Sequence, residues 1–128
     1  MYSVLIVDDS EIIRSVLDRT LRMAKIPLSD VYQAANGQEA MDILDNSWID
    51  LVMTDLNMPV MSGFELIDII NKRKDLNLIP VVVISTEGSA LKIDGLKDKG
   101  VRGYLRKPFT PESICSILRQ ILGGCNGL

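Results

Sequence analysis

The chain has 128 residues, which is enough for one compact domain and too few for two ordinary ones. Apolar residues make up 47% and charged residues 24%, a balance typical of a globular protein and not of a disordered one. The 17 acidic and 14 basic residues give a net charge of -3, which argues against a binder of nucleic acid or of anionic membranes and favours protein and small-ion partners.

The residue types present also limit location and chemistry. No apolar run approaches the roughly 18 residues of a membrane span, and the start lacks the pattern of a signal peptide, so we expect a cytoplasmic protein with Cys115 and Cys125 reduced. The absence of histidine excludes a Ser-His-Asp triad, a Cys-His pair and a His-ligated zinc. Any chemistry must therefore use carboxylates, hydroxyls or lysine.

Short apolar runs alternate with amphipathic stretches, which predicts βα units around a parallel sheet. Strands are expected at 4–7, 31–35, 51–54, 81–84 and 103–105, each followed by a helix with apolar residues at helical spacing. Ser62 and Glu65 form a capping box at the start of the third helix. The fourth helix, near 91–99, is expected to be the weakest, because Gly95 in its interior costs about 1 kcal/mol relative to alanine. Thr110 and Pro111 are typical first residues of a last helix.

The far end of the chain has a different composition. Gly-Gly-Cys-Asn-Gly-Leu at 123–128 is typical of a short flexible tail. We therefore expect one domain over residues 1–122.

Polar residues collect where the expected strands stop. The first strand ends in Asp8-Asp9, the third in Asp55, the fourth in Ser85-Thr86 and the fifth in Arg106-Lys107. In a parallel sheet with right-handed crossovers all carboxyl ends of strands lie on one edge, where open α/β sheets bind ligands. The sequence therefore predicts one polar site at this edge.

Each of these residues alone has a simpler interpretation. Asp9 is a possible helix cap, Asp55 ordinary turn chemistry, Ser85 a strand end and Lys107 a solvated charge. Together they favour a site, because converging carboxylates repel each other unless a divalent ion and a lysine neutralise them. Oxygen ligands without histidine or cysteine suit Mg²⁺. The same groups are those required for phosphoryl transfer to a carboxylate.

These residues carry a family resemblance. The pair Asp8-Asp9, the segment Asp55-Leu56-Asn57-Met58-Pro59 leading to Gly63, the Ser85, and Lys107-Pro108-Phe109 resemble the receiver domains of two-component response regulators, over about residues 2–122. The resemblance implies a flavodoxin-like (βα)5 fold, a doubly wound five-stranded parallel sheet with strand order 2-1-3-4-5. The layout is most similar to single-domain regulators of the chemotaxis type.

The resemblance also implies a role for each matching position. Asp55 accepts the phosphoryl group. Asp9, Asp55 and the backbone carbonyl of Asn57 ligate Mg²⁺, and Asp8 acts through a bound water. Ser85 and Lys107 contact the phosphoryl group, and the bond between Lys107 and Pro108 is cis.

The family comparison implies a signalling switch, which is not an enzyme in the ordinary sense but catalyses its own phosphorylation and dephosphorylation. Tyr104 matches the aromatic switch position, with core packing as its compatible alternative role. Phosphorylation would pull Ser85 and Lys107 inward and rearrange the surface of the fourth helix, fifth strand and fifth helix. Asn57 and Glu87 occupy the positions that tune dephosphorylation.

Partners follow from the same resemblance. Receivers take the phosphoryl group from a phosphohistidine, which this chain cannot supply because it has no histidine. The expected donor is therefore a histidine kinase, a phosphotransfer protein or a small phosphodonor. The downstream target is a protein such as a flagellar motor switch or a relay protein. Leu56 replaces a tryptophan found in some relatives, so Trp48 is expected to report poorly on the site, and the bulk of Thr86 is expected to slow access of donors.

Five alternatives are compatible with part of the pattern. The chain could be a fragment of a longer regulator or a phosphorelay protein. A haloacid-dehalogenase-like phosphatase also forms an aspartyl phosphate, but it requires a second aspartate where this chain has Asn57. A degenerate receiver is disfavoured because all five site positions are intact, and an FMN-binding flavodoxin because no hydroxyl-rich loop follows the first strand.

Overall fold

A computed structural model describes residues 1–24, 26–86 and 90–122, and the side chains of all of these except 90–93. Strands and helices alternate along these residues, in the order β1 (Tyr2–Val7), α1 (Glu11–Met23), β2 (Leu28–Ala34), α2 (Gly37–Asn46), β3 (Leu51–Thr54), α3 (Gly63–Lys72), β4 (Val81–Ser85), α4 (Ala90–Lys97), β5 (Val101–Arg106) and α5 (Pro111–Leu122). The expected Glu87, Cys125 and tail at 123–128 lie outside the described residues.

All five strands pair in parallel in one sheet of order β2-β1-β3-β4-β5. The sequence pattern predicted a parallel sheet of βα units, and the doubly wound, flavodoxin-like strand order is the one that the family resemblance implied. Predicted and observed elements differ only at their ends. β2 begins three residues earlier than the expected 31–35 and ends one earlier, β5 is longer than the expected 103–105, and α4 lies slightly nearer the N-terminus than the expected 91–99.

The sheet separates two hydrophobic cores, because successive side chains of a strand point to opposite faces. On one face Leu5 and Val52 pack in a cluster with Leu66 of α3. On the other face Ile6 packs in a cluster with Leu17 of α1 and with α5. The three central strands are thus covered on both sides, which is why they read as continuous apolar runs in the sequence.

Hydroxyl and amide side chains fix where the helices begin. The expected capping box at α3 is confirmed in part. Ser62 Oγ accepts from Glu65 N at 3.2 Å, but the Glu65 carboxylate accepts from the Ser62 hydroxyl, at 3.5 Å, instead of from the Ser62 backbone N. Thr110 likewise accepts from Ser113 N at 3.1 Å, ahead of α5. At α1 the cap is Ser10, whose Oγ accepts from Ile13 N at 3.3 Å. Asp9 therefore does not cap α1, and its carboxylate remains available at the sheet edge.

The loop from β3 to α3 is held in a tight conformation. Val60 has a φ of 68°, and Met61 N donates to Pro59 O at 2.8 Å, which together form a γ-turn. Gly63 then approaches so closely that a Cβ there would lie 1.9 Å from the carbonyl oxygen of Asp55. Only glycine fits at this position, and the close approach fixes the loop against the end of β3.

Two further observations concern the surface. In the described part of the chain, no helix combines the length and the apolar character needed to cross a bilayer. Trp48 is 79% exposed and lies before the start of β3, at the edge of the sheet opposite the strand ends that carry the acidic residues. The expectation that Trp48 reports poorly on the site stays a prediction.

Candidate functional site

Three carboxylates meet at the carboxyl edge of the sheet. Val7 of β1 lies beside Thr54 of β3, so the residues that follow them, Asp8 and Asp55, leave adjacent strands side by side. Asp8, Asp9 and Asp55 can each offer one oxygen such that all three lie within 4.8 Å of one another. The structure thus brings together the acidic residues that the strand ends predicted.

Lys107 enters this cluster from the end of β5. Its Nζ lies 2.8 Å from Asp8 Oδ2 and 3.4 Å from Asp55 Oδ2, and its side chain is only 16% exposed. The alternative of a solvated surface charge is therefore wrong. The bond between Lys107 and Pro108 is cis, as the resemblance implied.

The environment of Lys107 also sets its charge. Burial disfavours the ammonium, but the hydrogen bond and charge of Asp8 and the charge of Asp55 together outweigh it, so the pKa of Lys107 is raised above its ordinary value. The lysine is thus a fixed positive charge at this edge.

Asp8 is held at all four of its polar atoms. Its backbone N donates to Ala34 O at 3.0 Å, and its Oδ1 accepts from Ser10 N at 2.9 Å. Its Oδ2 accepts from Lys107 Nζ, and its carbonyl oxygen accepts from Arg14 Nη1 at 2.7 Å. The residue is 2% exposed, so these bonds satisfy groups that water hardly reaches.

Asp55 is positioned mainly by backbone groups. Its N donates to Val7 O at 2.9 Å, and its Oδ1 accepts from Leu56 N at 2.8 Å. Its carbonyl accepts from the buried Thr54 hydroxyl at 2.8 Å. The other carboxylate oxygen, Oδ2, points toward Lys107.

The two expected switch residues lie next to this cluster. Ser85 is fully buried at the end of β4, and its carbonyl accepts from Lys107 N at 3.0 Å and from Tyr104 Oη at 3.5 Å. Tyr104 is half-buried against the core and lines a cavity of about 200 Å³ between α4 and β5, with Leu96. Its packing role is confirmed, and its movement on phosphorylation stays a prediction.

Of the other residues that the sequence analysis singled out, Asn57, Thr86 and Leu56 are described by the structure and Glu87 is not. Asn57 and Thr86 are exposed just past the ends of β3 and β4, and Leu56 is fully buried. The role of the Asn57 carbonyl stays a prediction. Glu87 lies outside the described residues, so its role stays a prediction as well.

Two contacts at the site were missed by sequence reasoning. Arg14 reaches back from the first turns of α1 to the Asp8 carbonyl, and Ser10 N binds the Asp8 carboxylate. Ser10 had a recognisable signal, since serine before a helix favours a capping turn. Arg14 had none, because a charged residue on an amphipathic helix is usually solvated.

The donor set decides which ion the cluster suits. It offers carboxylate oxygens only, and the chain has no histidine that could add a nitrogen ligand. Such a set fits a hard divalent cation such as Mg²⁺ and does not suit zinc or copper.

A doubly wound α/β sheet with an acidic cluster and a half-buried lysine at its carboxyl edge is typical of receiver domains. The family model for the response regulator receiver domain matches residues 4–119, and the chain belongs to this family.

Several of the similar proteins are chemotaxis regulators. The chain is 35% identical over 124 residues to a chemotaxis protein CheY homolog of Campylobacter jejuni, covering 96% of this chain and 94% of that protein. It is also 35% identical to the chemotaxis protein CheY1 of Helicobacter pylori, covering 93% and 95%. The crystal structure of chemotaxis protein CheY4 of Vibrio cholerae superposes with a TM-score of 0.85 at 36% identity, covering 94% and 98%.

Proposed function

We propose that this receiver accepts a phosphoryl group on Asp55 in a Mg²⁺-dependent reaction, within a two-component system of the chemotaxis type. The observation that carries the proposal is the position of Lys107, whose ammonium lies between Asp8 and Asp55 beside a cluster able to hold a cation. Phosphoryl transfer requires a carboxylate nucleophile with positive charge beside it.

The chain's own residues have distinct roles in this reaction. An Asp55 oxygen forms a bond to phosphorus as the bond between phosphorus and the donor nitrogen breaks. Lys107 pairs with the transferred oxygens, and Ser85 donates a hydrogen bond to them. Asp9, Asp55 and the Asn57 carbonyl would hold Mg²⁺ directly and Asp8 through water, and the ion would supply charge neutralisation on the phosphoryl oxygens.

Phosphorylation then acts as a switch. The added charge draws Lys107 and Ser85 inward, and Tyr104 turns toward the space that Ser85 leaves. The surface formed by α4, β5 and α5 changes as a result and selects a partner. Asn57 and Glu87 tune the water that later removes the phosphoryl group, so the chain catalyses its own dephosphorylation.

The partners follow from the missing histidine and the named relatives. Receivers take the phosphoryl group from a phosphohistidine, and this chain contains no histidine, so the donor is a histidine kinase, a phosphotransfer protein or a small phosphodonor. The chemotaxis relatives favour a flagellar motor switch as the downstream target, with a relay protein as the alternative. We place these events in the cytoplasm and within residues 1–122.

Intact-mass measurement tests the acceptor. Wild type incubated with acetyl phosphate and Mg²⁺ should gain the mass of one phosphoryl group, and Asp55→Asn should gain none at that site. Asp30→Asn, an exposed acid on β2, is the matched control and should behave as wild type. Mass gain without Mg²⁺, or full mass gain in Asp55→Asn, would count against the proposed site.

A further inference from the structure

We infer that Arg14 is a positioning residue for the metal site, which it serves by fixing the peptide between Asp8 and Asp9 before any cation arrives. This inference rests on the proposed function. Arg14 itself touches neither the acidic carboxylates nor the expected phosphoryl group, so its effect must be transmitted through the backbone.

The need for such a residue arises at Asp9. Within the described residues the Asp9 carboxylate has no hydrogen-bond or ion-pair partner, and the residue is exposed. Asp8 and Asp55, in contrast, are buried and hydrogen-bonded at their carboxylates. The location of the Asp9 carboxylate is therefore set only by the backbone that carries it.

Two hydrogen bonds constrain that backbone. Ser10 N donates to Asp8 Oδ1 at 2.9 Å, and the other bond comes from Arg14, a partner outside residues 8–10. The carbonyl of Asp8 belongs to the peptide group that joins Asp8 to Asp9, and it accepts from Arg14 Nη1 at 2.7 Å. A charged donor at this distance makes a strong hydrogen bond. Rotation of the peptide would break it, so the bond holds Asp9 in one orientation relative to Asp55.

Arg14 is in turn held from its other side. Its Nε donates to Gln33 Oε1 at 3.2 Å, and Gln33 Nε2 donates to Asp18 Oδ2 at 3.2 Å. The guanidinium thus spans β2 and the turn after β1. Lysine has a single charged point and lacks this planar fork, so it cannot hold both contacts in the same way.

Two opposite effects of Arg14 can be separated by experiment. As a positive charge near the cluster it should weaken cation binding, so its removal would tighten Mg²⁺ binding. As a positioning residue it should strengthen binding, because partners outside the ligand shell contribute 10- to 100-fold to metal affinity. We expect the second effect to dominate, since the charge is directed at the Asp8 carbonyl.

The test is calorimetric titration of Mg²⁺ into Arg14→Met, Arg14→Lys and the matched control Arg19→Met, which changes an exposed arginine on the same helix. The Mg²⁺ dissociation constant should rise about tenfold in both Arg14 variants and stay unchanged in Arg19→Met. With acetyl phosphate, the Arg14 variants should need more Mg²⁺ for half-maximal phosphorylation and reach the wild-type maximum.

Each other outcome overturns the inference in a recognisable way. Unchanged Mg²⁺ affinity with a lower metal-free free energy of unfolding would mean that Arg14 is only structural. Tighter binding in Arg14→Met with wild-type affinity in Arg14→Lys would mean that charge alone matters. If wild type itself binds no Mg²⁺ and Asp55 gains no phosphoryl group, the proposed function fails together with the inference.

Discussion

The ammonium of Lys107 lies closer to Asp8 than to Asp55, at 2.8 Å against 3.4 Å. The shorter contact is thus made to the aspartate that is not the expected phosphoryl acceptor. A cation bound by the acidic cluster would compete for Asp8 and leave the lysine available to groups on Asp55. If Asp55 accepts a phosphoryl group as proposed, we therefore expect the removal of Lys107 to separate phosphorylation from switching.

We expect Lys107→Ala to be phosphorylated more slowly at Asp55 and to show no conformational response. Asp55 keeps its backbone contacts in the variant, but the charge that pulls β5 toward the phosphoryl group is gone. Hydrogen-exchange mass spectrometry of residues 90–106, with and without acetyl phosphate, measures the response. Lys97→Ala, on α4 and 71% exposed, is the control that should respond as wild type. A wild-type response in Lys107→Ala would refute the prediction.

Because the pKa of Lys107 is raised, part of the free energy of unfolding should depend on pH in the alkaline range. The unfolded chain releases this proton near the ordinary value of 10.5, while the folded protein retains it to higher pH. The contribution is therefore complete below that pH and is lost as pH rises through the folded pKa. The difference in free energy of unfolding between wild type and Lys107→Met should be constant at lower pH and should shrink above about 10.5. A difference that grows with pH in urea titrations would contradict this sign.

Asp9→Asn should stabilise the metal-free protein by about 1 kcal/mol, because it removes one of three mutually repelling carboxylates that has no partner of its own. The same change should abolish the stabilisation that Mg²⁺ gives to wild type. Urea unfolding with and without Mg²⁺ measures both effects. Asp94→Asn, an exposed acid on α4, should change neither. A less stable Asp9→Asn would show that the acid helps the metal-free fold.

Two glycines should respond oppositely to alanine. At Gly63 a Cβ would meet the Asp55 carbonyl at 1.9 Å, so Gly63→Ala should destabilise the fold by about 3 kcal/mol and impair phosphorylation. At Gly95 no atom lies within 4 Å of the added Cβ, so Gly95→Ala should stabilise by up to about 1 kcal/mol. The midpoint temperatures of thermal unfolding of the two variants measure both effects. Similar shifts of the two midpoints in the same direction would contradict the roles given to these glycines.

The strands, the helices and the parallel sheet could be predicted from patterns in the sequence, whereas the order of the strands came from the family resemblance. The three central strands are buried on both faces, so their apolar runs were unmistakable, and the residues after them converged as parallel topology requires. The edge strand β2 was harder to delimit, because it carries exposed Ser29 and Asp30 that interrupt the apolar pattern. The first residue of β2, Leu28, pairs with Tyr2 of β1, and this pairing is not visible in the sequence pattern.

Contacts between side chains that lie far apart in the sequence were harder to predict. The convergence of Asp8, Asp55 and Lys107 could be predicted from where strands stop, but the closer pairing of Lys107 with Asp8 could not. That pairing depends on a difference of less than 1 Å between two distances, 2.8 Å to Asp8 and 3.4 Å to Asp55. The bond from Arg14 to the Asp8 carbonyl likewise depends on the rotamer of a long side chain, which no pattern of residue types specifies.

The two strands at the margins of the sheet, β2 and β5, carry charged residues where the three inner strands are apolar. Asp30 is exposed on one margin, and Arg102 and Arg106 are exposed on the other. Charges on marginal strands discourage pairing with a second molecule. Self-association into fibres should therefore begin from molecules that have opened enough to uncover β1, β3 or β4, and its rate should follow the unfolded fraction more than the total concentration of native protein.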